Sequence, residues 1–122
     1  MYSIAKRWTF DAAHHLPELP DGHKCARPHG HTYTVEVALA AAGLEPPGFV
    51  ADFADLDPVK RYLDGGFDHR DLNDVVNFPP TSERLAHHLY DWCVDHLALP
   101  VGVSVDAVRV SETPSTWAQY RP

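Results

Sequence analysis

The chain reads as an α+β fold: an antiparallel sheet with two helices packed on one face. Three observations predict it. Strand-like segments come first and last and flank a helical middle. The two helical segments carry apolar residues at helical spacing between capping and stop residues. A chain of 122 residues with 44% hydrophobic content reads as one domain spanning residues 1–122. It buries roughly two-thirds of its unfolded surface, enough for a core without disulfides.

Tyr2 to Phe10 alternates in part and reads as the first strand. Residues 16–28, LPELPDGHKCARP, carry three prolines and a glycine and read as a loop. Thr32 to Ala40 is the clearest strand, with Tyr33, Val35, Val37 and Leu39 on one face and Thr34, Glu36 and Ala38 on the other. GLEPPG is a turn, and Phe49 to Phe53 reads as a short extended segment. Asp55 or Asp57 then caps a helix with Pro58 in its first turn, ending at Gly65-Gly66. The second helix starts from Thr81 or Ser82, repeats Leu85, Leu89, Trp92/Cys93 and Leu97, and stops at Pro100. Val103, Val105, Val108 and Val110 make a further strand, whose change of phase at Asp106-Ala107 predicts a bulge. Thr116 to Tyr120 is a last short strand. Such a sheet has open edges, and pairing in an oligomer is one way to cover them.

A net charge of −7 argues against nucleic acid as partner. No apolar run approaches the ~20 residues of a membrane span, and the charged, alternating start is unlike a signal peptide. Two cysteines, Cys25 and Cys93, make no disulfide framework and fit a reducing, cytoplasmic setting.

The chemistry concentrates in KCARPHGHT, Lys24 to Thr32. His29 and His31 stand at i and i+2, so in extended chain both imidazoles point to one side and reach one ion, with Gly30 leaving room between them. A lone H-x-H is equally two polar residues on one strand face. A third imidazole strengthens it: His14 or His15 ends the first strand, and the residues alone do not choose between them. Three imidazoles with one open position is the usual form of a catalytic zinc site. Cys25 is either a fourth ligand, closing the site, or a free thiol used as base or nucleophile beside the metal. Cys93, at an apolar helix position, reads as core. Asp68-His69 is an adjacent carboxylate–imidazole pair in a glycine-entered loop, suited to proton transfer. Glu112 closes a valine-rich strand, where a carboxylate accepts two hydrogen bonds from a guanidine-like edge or simply meets solvent. His87, His88 and His96 read as helix-surface residues; Asp55, Asp57, Asp71 and Asp74 read as caps and loop charge.

Taken together, FDAAHHL, GHKCARPHGH, ADF, FDHRDLND, PTSE and SET resemble, in order and approximate spacing, the 6-pyruvoyltetrahydropterin synthase family. The resemblance runs from Phe10 to at least Thr113. The spacing C-x₃-H-G-H from Cys25 to His31 resembles the 6-carboxy-5,6,7,8-tetrahydropterin synthase branch; the 6-pyruvoyl branch typically has two more residues there.

The resemblance implies a tunnelling fold (T-fold), an antiparallel sheet backed by two helices, with subunits joined into a trimeric β-barrel or hexamer and active sites between subunits. It implies Zn²⁺ on His14, His29 and His31, with His14 chosen over His15. It implies Cys25 as catalytic base, with Asp68 and His69 as a proton-transfer pair from a neighbouring subunit. It implies Glu112 as the pterin anchor, with Phe53 and Thr81 near the ring. The implied reaction converts 7,8-dihydroneopterin triphosphate to 6-carboxytetrahydropterin, acetaldehyde and triphosphate in queuosine or other 7-deazaguanine biosynthesis. The triphosphate needs local cations, for which Lys24, Arg27 and Arg70 are the nearby candidates, with no firm role assigned to any of them. Two positions depart from the pattern: Pro79, where asparagine is frequent, and Ser111, where lysine is common. The competing readings are 6-pyruvoyl-type triphosphate elimination on the same substrate and a non-catalytic His₃Cys zinc module.

Overall fold

The computed structural model describes residues 1–122. In chain order the elements are β1 (Tyr2–His14), β2 (His29–Ala41), α1 (Asp57–Gly66), β3 (Arg70–Asp71), α2 (Leu72–Val75), α3 (Ser82–His96), β4 (Val103–Thr113) and β5 (Thr116–Tyr120). Single turns of 3-10 helix at Lys24–Ala26 and Phe53–Leu56 interrupt the connections.

All five strands lie in one sheet ordered β3-β1-β2-β4-β5. β1 and β2 pair antiparallel along their whole length, from Tyr2↔Ala41 to His14↔His29. β4 joins the other side of β2, and β5 returns along β4. Where Ala38 pairs with Ala107 and Leu39 with Val105, Asp106 is the extra residue. That is the bulge expected from the break in the valine alternation.

The period-2 alternation sends Trp8 and Phe10 from β1, Tyr33, Val35, Val37 and Leu39 from β2, and Val105, Val108 and Val110 from β4 to one face. Val59 and Leu63 of α1 and Leu85, Leu89 and Cys93 of α3 cover that face and complete one apolar cluster. Phe10 stacks on Tyr33 at a centroid distance of 5.0 Å. Fully burying each large apolar side chain contributes roughly 1.5–3 kcal/mol. The opposite face is polar: Arg7, Thr34, Glu36 and Arg109 line a cleft there, with Glu36 accepting from Arg7 Nε at 2.8 Å.

The sequence-based expectations need four corrections. Phe49–Phe53 is not a strand: Phe49 makes an isolated bridge with Glu45, and Phe53 opens a 3-10 turn capped by Asp52, whose carboxylate accepts from Ala54 N–H at 2.9 Å. Neither Asp55 nor Asp57 caps α1; Leu56 holds the cap position without a side-chain bond, and Asp57 is the first helical residue. The sheet is mixed, because the short β3 runs parallel to β1, Ala12↔Arg70. His88 is half-buried rather than on the helix surface, with Nε2 2.8 Å from the Tyr62 hydroxyl, and burial lowers its pKa.

A candidate metal centre beside an open cavity

At one end of the sheet the inward columns continue, but the residue type changes. Beyond Phe10 and Ala12 comes His14; beyond Tyr33 come His31 and His29; beyond Val110 comes Glu112. Pleat and register alone converge these side chains. His14 pairs directly with His29, and Ala12, small enough to leave space, pairs with His31. One coordinating nitrogen from each imidazole lies within 4.8 Å of the others. The rings meet edge to face, at centroid distances of 4.5 Å for His14–His29, 4.8 Å for His29–His31 and 5.1 Å for His14–His31.

Backbone carbonyls orient two of the rings. His14 Nδ1–H donates to Pro80 O at 2.8 Å, and His29 Nδ1–H donates to Arg27 O at 2.7 Å. With Nδ1 protonated, each Nε2 carries a lone pair, the arrangement metal-bound imidazoles show. His14 is 1% exposed, and its Nε2 and His31 Nε2 are buried without a hydrogen-bond partner. Orphaned buried acceptors cost free energy unless something fills the space between them. Burial lowers the His31 pKa most; Glu112 opposes the shift, and His14 and His29 add to it. That favours the neutral, ligating form. The donor set fits a divalent ion that prefers nitrogen, and zinc is the common choice.

His15 lies outside the cluster. Its backbone is held by Asn73, whose Oδ1 accepts from His15 N–H at 2.9 Å and whose Nδ2 donates to His15 O at 3.0 Å. The structure thus brings His14, not its neighbour, to the other two imidazoles.

Cys25 also stands outside the 4.8 Å group. It lines an adjoining cavity of about 600 Å³ together with Lys24, Arg27, Pro28, His29, His31, Glu112 and Thr113. The loop holding it is built: Leu16 N–H donates to Cys25 O at 2.9 Å, and Cys25 N–H donates to His23 Nδ1 at 3.1 Å. Cys93 is buried in the apolar cluster, and burial pushes its thiol up to about 12. The Glu112 carboxylate faces the centre, with Oε2 3.6 Å from His31 Nε2 and Oε1 3.9 Å from His14 Nε2. Beneath it Tyr33 is fully buried with its hydroxyl unpartnered; burial, then Glu112, pushes its pKa far up. Thr81 caps α3, accepting from Arg84 N–H at 3.2 Å, one residue after the carbonyl that holds His14.

Asp68 and His69 form their pair, with His69 Nδ1 3.0 Å from Asp68 Oδ2, but not in this cavity. They sit on the outer edge of β1. Asp11 N–H donates to Asp68 Oδ1 at 2.9 Å, and His69 N–H donates to Asp11 O at 2.6 Å. The Asp11 N–H bond, then the His69 bond, lowers the Asp68 pKa. His69 adopts φ +58°, a conformation non-glycine residues hold only when their surroundings enforce it. Phe53 is also remote. It lines a half-exposed groove of about 280 Å³ with Tyr2, Leu44 and Phe49, at the end of β1 opposite His14. Ser111 lies on the polar face beside Arg7 and Arg109, turned from the cavity. The Pro80 and Arg27 carbonyls and the Asn73 clamp escaped sequence reasoning. Pro79-Pro80 ahead of a capping threonine is the signal that marks an extended segment there with free carbonyls.

An α+β sheet with three inward imidazoles at one end, two of them pre-oriented for a metal, beside a cavity holding a thiol and a carboxylate, defines the class: a T-fold-like protein with a metal-type centre. The comparisons with known proteins carry this further. Residues 3–122 match the model of the 6-pyruvoyl tetrahydropterin synthase family, and the chain belongs to that family. It is 35% identical to the 6-carboxy-5,6,7,8-tetrahydropterin synthase of Bacillus subtilis, over 99% of this chain and 86% of that protein. It is 36% identical to the enzyme of the same name from Synechocystis sp., over 98% and 93%. The solved 6-pyruvoyl tetrahydropterin synthase of Caenorhabditis elegans superposes with a TM-score of 0.83 at 27% identity, over 99% of this chain and 95% of that one.

Proposed function

We propose that the chain is a zinc-dependent 6-carboxy-5,6,7,8-tetrahydropterin synthase, converting 7,8-dihydroneopterin triphosphate to 6-carboxytetrahydropterin, acetaldehyde and triphosphate. The observation that carries this is the cavity in which Cys25 and Glu112 stand beside His29 and His31 of the three-imidazole cluster without Cys25 joining it. The C-x₃-H-G-H spacing and the names of the Bacillus and Synechocystis relatives point to the 6-carboxy branch.

His14, His29 and His31 would hold the ion. Bound Zn²⁺ supplies Lewis acidity that polarises the hydroxyls of the substrate side chain. Cys25 takes protons from the side-chain carbons while triphosphate leaves. Glu112 accepts from the guanidine-like edge of the pterin and fixes its orientation, with Thr81 close by. Asp68 holds His69 as a proton carrier; a positioned acid or base is worth roughly 10²–10⁴ in rate. Loss of triphosphate leaves two adjacent carbonyls. Adding water across the bond between them gives the carboxylate and acetaldehyde.

None of Asp68, His69 and Phe53 lines the cavity of its own chain; on this reading they serve the site of a neighbouring copy, in a homotrimer or homohexamer with a closed β-barrel whose polar face turns inward. Two free thiols fit a cytoplasmic setting, and the product would serve queuosine or another 7-deazaguanine. A second reading, 6-pyruvoyl-type elimination without carbon–carbon cleavage, draws on the likeness to the Caenorhabditis structure. Product analysis with 7,8-dihydroneopterin triphosphate separates them. Acetaldehyde equimolar with triphosphate is expected; triphosphate without acetaldehyde favours elimination alone, and neither product sinks both readings.

A further inference from the structure

Lys24, Arg27, Arg61 and Arg84 are the cationic side chains with no ion pair or hydrogen bond in the chain. The others are engaged: Lys6 by Asp57, Arg7 and Arg109 by Glu36, Lys60 by Asp64, Arg70 by the Gly65 carbonyl and Arg121 by Asp106. Two of the four free cations, Lys24 and Arg27, open onto the cavity that holds Cys25 and Glu112. In a chain of net charge −7, two cations without a carboxylate partner on one short loop favour an anion beside them.

Their loop is held before any ligand arrives. The Arg27 carbonyl is tied to His29 Nδ1 at 2.7 Å, and Arg27 N–H donates to Lys24 O at 3.4 Å. Both side chains are thus displayed from a backbone that need not reorganise, which lowers the cost of binding. The cavity also has two chemically distinct sides: cations from the Lys24–Pro28 loop and a carboxylate from β4. A ligand with a guanidine-like edge and a polyanionic tail matches that polarity in one orientation only.

We propose that Lys24 and Arg27 form a polyphosphate subsite that takes the triphosphate group while the pterin faces Glu112. The proposal rests on the pterin-triphosphate reading above and names the residues that hold the leaving group. Arg70 is not part of this subsite, since its guanidinium donates to Gly65 O at 3.1 Å and it does not line the cavity of its own chain.

The test is calorimetric titration of the intact protein with inorganic triphosphate, for wild type, Lys24→Ala, Arg27→Ala, the double variant and Arg61→Ala. Charge-assisted contacts of this kind predict about tenfold weaker binding for each single substitution and about a hundredfold for the double. Arg61→Ala removes the same charge elsewhere and is expected to leave the affinity unchanged, and Arg27→Lys to keep most of it. Unphosphorylated 7,8-dihydroneopterin should bind all six proteins alike, which also verifies that the variants fold. Equal triphosphate affinity in wild type and double variant, an equal loss in Arg61→Ala, or no binding to wild type overturns the subsite. Triphosphate binding that depends on Lys24 and Arg27 in a protein with no turnover leaves the subsite standing and removes the catalytic reading instead.

Discussion

Two regions of the molecule gather acid–base side chains, and both are anchored on β1. At its inward end His14 joins His29 and His31 beside the cavity of Cys25 and Glu112. A few residues earlier, Asp11 uses its backbone N–H and C=O to pin Asp68 and His69 to the outer edge. The first region is enclosed, with His14 1% exposed. The second is open, with the His69 side chain 77% exposed. A histidine fixed by a carboxylate, in a strained conformation, on a bare edge has no substrate of its own within the chain. The difference fits the proposed function, in which the chain would carry a metal-and-thiol half-site and a proton-carrier half-site that complement each other between copies.

The largest effect should come from the enclosed half. His29→Ala or His31→Ala removes one of three nitrogens, so metal content by elemental analysis and turnover should fall together to background. Full turnover in metal-free protein would break the account of this half. Cys25→Ala should retain metal and fold but lose turnover by roughly 10² or more, the worth of a general base. A zinc–sulfur distance of ~2.3 Å in the X-ray absorption spectrum of the substrate-free protein would make Cys25 a ligand instead.

Glu112→Gln keeps the shape and removes the charge. Substrate binding should weaken by about tenfold, corresponding to one charge-assisted contact, while metal content stays at the wild-type level. Pterin bound normally by this variant places the anchor elsewhere. The smallest effect concerns the open half. The Asp68 carboxyl is held below its usual range in the folded chain, first by the Asp11 N–H and then by His69. A depressed folded pKa contributes stability above the unfolded value, and that contribution fades as pH falls through the folded one. Asp68→Asn should therefore lower Tm modestly at neutral pH, with the difference shrinking below the ordinary carboxylate range. A Tm gap that widens on acidification contradicts the assigned hydrogen bonds.

The sequence announced the enclosed half more fully than the open one, for physical reasons. His29 and His31 share a face because strand periodicity puts them there, and strand periodicity is local. Helix α3, its Thr81 cap and the Asp106 bulge were legible in the same way. The choice of His14 over His15 was not, because it depends on strand phase and on the Asn73 clamp far along the chain. β3 and α2 were missed because two- and four-residue elements carry no periodicity. The capping bond of Asp71 to Asn73 N–H, 3.0 Å, was their only local trace. Phe49–Phe53 misled because an apolar run reads as strand, whereas Asp52 turns it into a capped 3-10 turn. Phe53 and His69 lie away from the cavity of their own chain, so strand and helix periodicity gives them no place in it.

The most direct test of two half-sites is complementation. Cys25→Ala chains lack the thiol half, and His69→Ala chains lack the proton-carrier half; each assembly alone should be inactive. Dissociating, mixing and reassembling them creates some interfaces that pair an intact cavity with an intact Asp68–His69 corner. The account predicts recovery of a fraction of wild-type turnover that rises with the proportion of mixed oligomers measured by native mass spectrometry. Proven mixed oligomers that stay inactive would contradict it.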